Sequence, residues 1–287
     1  MENGIRITAY DPAFADDVRA LDEQMYREIL YHGDVRPESV MLALSGTAFC
    51  GAGYLLAAPG DRLHLVFKTD IRTETGIDAA EALIDKLIGQ FMKLRKKNPA
   101  LKLCAWCKES EKAYREFLEY FGFRKEAGML TMVQSLQALE QTETRRTVQA
   151  SPFEIRTLDL TDPSEMREYM RVNAEGFGIP DSEKEMLFRI KHCGAELYGA
   201  GNGTELYAAV TTWPVTEARA ATENVFCAAK HRRQGITSAL LLYVHGVLLE
   251  KGYKEAVLNV YDDDIPAIRM YEKLGYRTEE KLAELRL

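Results

Sequence analysis

The stretch Lys230-His231-Arg232-Arg233-Gln234-Gly235 sets basic side chains directly before a glycine and an apolar helical run. Such a sequence can seat an anion. A strand that turns into a helix through a glycine leaves several backbone N–H groups free at the helix mouth, where the dipole is positive. Arg232, Arg233 and Gln234 add side-chain donors there, and Gly235 lets a phosphate approach with no Cβ in the way. The bland alternative is a solvated helix start, since basic residues before a glycine are common.

The surrounding charge sharpens the choice. The chain carries net charge −7; residues 151–287 hold 17 Lys+Arg against 22 Asp+Glu, and residues 1–150 hold 20 against 22. Neither half has the broad basic footprint of a nucleic-acid binder, so a local cluster suits a small anionic ligand. Hydrophobic content of 46% fits a globular chain with full cores. No run approaches the roughly 20 apolar residues of a spanning helix, so no membrane partner is expected. The start MENGIRITAYDPAF lacks a basic and apolar leader, and a cytoplasmic protein is expected. Five dispersed cysteines argue against a disulfide framework. CAWC at 104–107 has no second ligand pair for zinc, and LKLCAWC reads as a buried strand, so no metal is expected.

Those residues must be positioned by regular elements, and these occur twice. A polar stretch over 137–152 separates residues 1–136 from 153–287. Each half reads strand, glycine-containing turn, long amphipathic helix, apolar strand, acidic turn, short helix, then glycine and an aromatic residue. Gly76 answers Gly235, and Phe121-Gly122-Phe123 answers Leu274-Gly275-Tyr276. After Gly235, Ile236, Ala239, Leu240, Tyr243, Val244, Val247 and Leu248 recur at helical spacing. Pro266 sits where a helix begins, and Ile268, Tyr271 and Leu274 share one side of it before Gly275. Strands alternating with helices predict an α/β or α+β sheet domain in each half.

The order NVFCAAKHRRQGITSALL, then a strand, then DDDIPAIRMYEKLGY resembles the GCN5-related N-acetyltransferase (GNAT) superfamily. That family carries [Arg/Gln]-x-x-Gly-x-[Gly/Ala] after its fourth strand and Asn-x-x-Ala-x-x-x-Tyr-x-x-x-Gly-Phe further on. Here the turn is Arg232 to Thr237, and the later motif runs from Asp264 through Ala267 and Tyr271 to Gly275 and Tyr276. Thr237 and Asp264 depart from the family's small residue and asparagine. The resemblance covers about residues 153–287. It implies an α/β (α+β) fold of two tandem GNAT-like domains, each a mixed, mostly antiparallel twisted sheet flanked by helices.

It also implies roles by position. Arg232, Arg233, Gln234, Gly235, Ile236 and Thr237 would hold the pyrophosphate of acetyl-coenzyme A. Backbone groups at Phe226, Cys227 and Ala228, with Asp264 and Ala267, would border the pantetheine arm. Tyr271 would protonate the leaving thiolate and Glu223 would take the acceptor's proton, with Glu175 a weaker candidate. Cys227, on an apolar strand, reads as a small buried hydrophobe rather than an acyl carrier. The acceptor would be a primary amine of a small molecule or peptide attacking directly in a ternary complex, in a monomer or homodimer; loop 173–182 would border its pocket. A non-catalytic acyl-coenzyme A sensor is the alternative. In the first half, Thr73, Glu74 and Asp78 stand at the turn and Leu118 at the tyrosine position, so that copy is expected to be degenerate, serving to complete the acceptor pocket, stabilise its neighbour or build a dimer.

Overall fold

A computed structural model describes residues 4–138, 153–178, 182–203 and 205–287. The expected connection 137–152 lies outside them from residue 139 on, as do residues 179–181 of the expected acceptor loop. Contacts divide the chain into two units. The first takes the chain to Trp106, together with Leu118–Arg124 and Leu285–Leu287; the second holds Cys107–Phe117 and Lys125–Glu284.

In the first unit, β1 (Ile5–Ala9) leads to α1 (Ala15–Leu21) and α2 (Glu23–Tyr31). Strands β2 (Met41–Ser45), β3 (Ala48–Ala58) and β4 (Arg62–Thr69) follow, then α3 (Glu74–Lys97) and β5 (Lys102–Lys108). The strands lie in the order β1-β2-β3-β4-β5, and only β4 and β5 run parallel. Helix α3 starts at Thr73, whose side chain caps Gly76 N–H, and ends on Arg95, Lys96 and Lys97, which complement its dipole. Segment 102–108 is the strand that its apolar run predicted, with Cys104 and Cys107 buried.

The chain continues through α4 (Lys112–Tyr120) and β6 (Arg124–Ser135). The second unit then adds β7 (Glu154–Leu158), α5 (Pro163–Phe177), α6 (Glu183–His192), β8 (Glu196–Gly201), β9 (Leu206–Pro214) and β10 (Arg219–Cys227). Helix α7 (Ile236–Glu250), β11 (Glu255–Tyr261), α8 (Ile265–Lys273) and β12 (Arg277–Arg286) complete it. Its strands lie in the order β12-β6-β11-β10-β9-β8-β7. The ladders from β7 to β10 are antiparallel, β10 and β11 are parallel, and β11 and β6 are antiparallel. The antiparallel neighbour of β11 is thus a strand from the first copy of the repeat, in register from Glu255↔Ser135 to Tyr261↔Met129.

Alternation along β9 separates two cores. Ala208 and Val210 face Leu240, Leu241, Val244, Tyr271 and Tyr276, from α7 and the region of α8. Ala209 faces Met166, Tyr169, Val172 and Met186 from α5 and α6. Helix α5 is capped by Asp162, has Pro163 in its first turn, and stops at Gly178 in the left-handed conformation. Among the described residues no helix is long and apolar enough to cross a membrane.

Candidate active site

Strand β10 opens the site because it changes partner along its length. Its parallel pairing with β11 runs only from Arg219↔Glu255 to Ala221↔Val257, so residues 222–227 have no ladder partner on that edge. On its other edge the register with β9 slips between Glu223↔Thr211 and Phe226↔Ala209. An extra residue is accommodated there, and Asn224 adopts φ 50. Such a bulge bends and twists a strand away from its neighbour. A slot follows between β10 and β11.

Glu223 sits at the vertex of that slot. Its Oε1 accepts from Asn259 N–H at 2.9 Å and from Asn259 Nδ2 at 3.0 Å, across to β11. Burial pushes its carboxyl up to about 7; the Asn259 hydrogen bonds and the Arg189 charge oppose that rise. The group therefore changes charge near neutrality, which suits a base. Arg189 on α6 lies over the Trp213 ring at 4.2 Å and pairs with Glu185.

Beyond the slot, β10 leads into the turn before α7. Arg233 and Gly235 both have positive φ, 65° and 78°, and Gly235 is the N-cap with no side-chain bond to the helix. A Cβ at Gly235 would meet nothing within 4 Å, so its strain is conformational and the space above it is open. Among the described residues, the backbone N–H groups of Arg233, Gln234, Gly235, Ile236, Thr237 and Ser238 have no intramolecular acceptor. They form a run of unpaired donors at the helix mouth, where the dipole is positive.

The basic side chains around this turn are mostly employed elsewhere. Arg232 donates from Nε to Cys227 O at 3.2 Å and from Nη2 to Glu175 O and Gly176 O, each at 3.4 Å. Lys230 pairs with Glu205, and the His231 ring stacks on Tyr207 at 3.8 Å. Gln234 Nε2 donates to Lys230 O. Arg233 alone of the cluster has a side chain without a partner among the described residues, and it is exposed. Arg232 braces the turn, which leaves the backbone N–H groups and the Arg233 guanidinium as the open donors at this helix mouth.

The other expected residues fall as follows. Phe226 is buried edge-on to Tyr169 at 5.1 Å and Phe177 at 5.8 Å, and a Cβ at Gly176 would come within 2.8 Å of its Cβ. Cys227 is half-buried, and burial pushes its thiol up, away from nucleophilic thiolate. Ala228 is buried and its N–H donates to Tyr207 O. Asp264 caps α8 by accepting from Ala267 N–H at 3.1 Å, a role an asparagine would share. Glu175 is tied to the turn through Ala229 N–H at 2.7 Å. Tyr271, 6% exposed, lies edge-on to Tyr276 at 5.6 Å. Burial first, then the charges of Tyr276, Glu223 and Asp264, raise its phenol, so it keeps its proton. Asn259, Arg189 and the packing of Tyr276 escaped the sequence reading. The one local signal was a polar residue inside the apolar run EAVLNVY.

Residues 162–276 match the acetyltransferase (GNAT) family. Among solved structures, the fold resembles a GCN5-related N-acetyltransferase from Sphaerobacter thermophilus, with TM-score 0.68 and 17% identity over 99% of this chain and 95% of that one. A tandem GNAT protein from the clavulanic acid biosynthesis pathway has TM-score 0.72 and 14% identity over 99% and 98%. A glucosamine N-acetyltransferase region of a fungal multi-domain β-N-acetylglucosaminidase has TM-score 0.67 and 12% identity, over 100% of this chain and 38% of that one. No curated protein matches the sequence. The fold follows from these likenesses.

Proposed function

We propose that the chain, whose residues 162–276 match the acetyltransferase (GNAT) family, is an acetyl-coenzyme A-dependent N-acetyltransferase acting on a primary amine of a small molecule or peptide in the cytoplasm. One observation carries the reading. A single strand, β10, presents a carboxyl that titrates near neutrality where it leaves β11, and it then leads into a turn whose N–H groups stand free.

Acetyl-coenzyme A would supply a thioester carbonyl activated toward an amine. The N–H groups of 233–238 and the Arg233 guanidinium would bind its pyrophosphate, and the unpaired edge of β10 at 226–228 would border its arm. Glu223 takes the proton that the acceptor ammonium must lose before its nitrogen can attack the carbonyl carbon. Tyr271 holds a proton at its phenol oxygen for the sulfur whose bond to that carbon breaks. Burial disfavours the anion of each, so Tyr271 keeps its proton at neutral pH while Glu223 is poised between its two forms and can take one up.

Release of free thiol from acetyl-coenzyme A in the presence of an amine panel tests the reading. Turnover with at least one amine is expected, with donor affinity weakened by Arg233→Glu. Binding without thiol release against every amine, and indifference to Tyr271→Phe, would establish a sensor instead.

A further inference from the structure

Three buried polar side chains that the proposed chemistry does not use meet at one hydroxyl. Tyr276 Oη lies 2.8 Å from Thr222 Oγ1 and 2.7 Å from His245 Nε2. Thr222 and His245 are 0% exposed and Tyr276 is 2%. Each comes from a different element of the site. Thr222 precedes Glu223 on β10, and His245 is on α7, the helix whose mouth is the donor cradle. Tyr276 follows α8, with its N–H bonded to Tyr271 O at 3.0 Å and its ring against that of Tyr271. A further link runs from Thr222 Oγ1 to Val257 O at 3.4 Å. Val257 is the last residue of β11 in register with β10.

The chain has a direction. Burial lowers His245 to about 4, so its ring is neutral at pH 7. Its Nδ1 has no partner among the described residues. A buried N–H left unpaired costs more than a bare lone pair, which puts the proton on Nε2. Nε2–H then donates to Tyr276, Tyr276 donates to Thr222, and Thr222 donates to Val257 C=O. Bonds aligned in this way polarise one another.

The first unit builds the same junction without polar atoms. Register from Arg62↔Lys102 places Leu65 where Arg219↔Glu255 places Thr222. The Gly-aromatic turn places Phe123 where Tyr276 stands, with Phe123 N–H bonded to Leu118 O as Tyr276 N–H is to Tyr271 O. The buried residues of α3 are all glycine or apolar. The first unit thus forms the same junction without the network, as expected when both partners of a buried hydrogen bond are replaced by apolar groups of similar shape.

We propose that His245, Tyr276 and Thr222 are positioning residues: they fix the point at which β10 leaves β11 and so hold Glu223 and Tyr271 in mutual register. This rests on the acyl-transfer reading above. The groups facing Glu223 are Asn259 from β11, Arg189 from α6, Tyr271 from α8 and Tyr276 from the turn before β12. Loosening the vertex admits water to the carboxylate while leaving the phosphate end untouched.

Thr222→Val and Tyr276→Phe remove the hydroxyls at nearly constant volume, and the first unit carries the apolar Leu65 and Phe123 at the matching places. For both, kcat is expected to fall about ten- to a hundredfold with KM for acetyl-coenzyme A unchanged. The acidic limb of the rate profile should move down from about pH 7. Thr222→Ser should restore both. The proposal is overturned if kcat and the limb stay at wild-type values, or if kcat falls only in step with thermal stability while the limb stays fixed. Should the wild type release no thiol with any amine, the acyl-transfer reading fails on its own. The Glu223 carboxyl, titrated by carbon NMR in wild type and Tyr276→Phe, then decides the positioning role: a lowered midpoint supports it and an unchanged one overturns it.

Discussion

The helices α3 and α7 each follow a central strand, but their N-termini are finished in opposite ways. Thr73 turns its hydroxyl onto Gly76 N–H at 3.0 Å, and Asp70 takes up Arg72 N–H and Thr73 N–H. Gly76 therefore lies inside the first turn, where a Cβ would come 1.9 Å from Asp70 O, and Thr73 holds the capping place that Gly235 has in α7. The α7 mouth has no side-chain cap and a longer entry with two left-handed residues. Strand β4 pairs with β3 without a slip, and register puts Val66 where β10 has Glu223. The C-terminal turns of α4 and α8 share their geometry, with Gly122 at φ 94 and Gly275 at φ 90, yet one buries Leu118 and the other Tyr271. Comparison teaches that the scaffold persists when its open groups are closed internally. A self-capped helix is more stable and offers an anion less.

Substitutions can break this contrast, and the largest effect is expected at the tyrosine position. Tyr271→Phe should lower turnover about a hundredfold or more by removing the acid. Leu118→Ala should cost about 3 kcal/mol of stability from the cavity, with turnover per folded molecule unchanged. Thiol release beside denaturant melts separates the two.

Next in size is the carboxyl. The rate should rise with pH through about 7, and Glu223→Gln should flatten that rise. Stability carries the opposite sign. Because the folded value lies above the ordinary 4.5, the native state holds a proton that the unfolded chain has released. The associated stability is complete below pH 4.5 and is lost as pH rises through about 7. Glu223→Gln should therefore melt higher than wild type at pH 8, by about 2 kcal/mol after allowing for partial exposure.

A smaller effect tests the cradle. Gly235→Ala places a Cβ on a left-handed residue at a cost of about 1 kcal/mol, and donor affinity measured by calorimetry should fall. Smallest is Thr73→Ala, which removes a cap worth about 1 kcal/mol and should leave donor binding unaltered. If Thr73→Ala instead creates a second donor site, self-capping was what closed the first unit.

Much of this was legible in the residues. The helical spacing after Gly235 located α7, although His245 is buried in place of Tyr243 and Val247. The two Gly-aromatic stops located the ends of α8 and its counterpart, and Pro266 located the start of α8. The same motifs singled out the turn at 232–237 and Tyr271. Other features depend on distant chain. Arg232 was read as an anion ligand, and the fold also carries its guanidinium to carbonyls at the end of α5. Nothing near residue 232 records where residue 175 will lie.

By itself the sequence determined what short-range chemistry decides: helix starts and stops, the left-handed places that glycine fills, the repeat, and the loss of tyrosine and open turn in one copy. These depend on hydrogen bonds and sterics within a few residues. The tertiary structure decided that β6 from the first copy borders β11, that β10 parts from β11 after Ala221, and that Glu223 titrates near neutrality. Strand partnership and desolvation both depend on groups far apart along the chain, and neither exists until those groups are brought together.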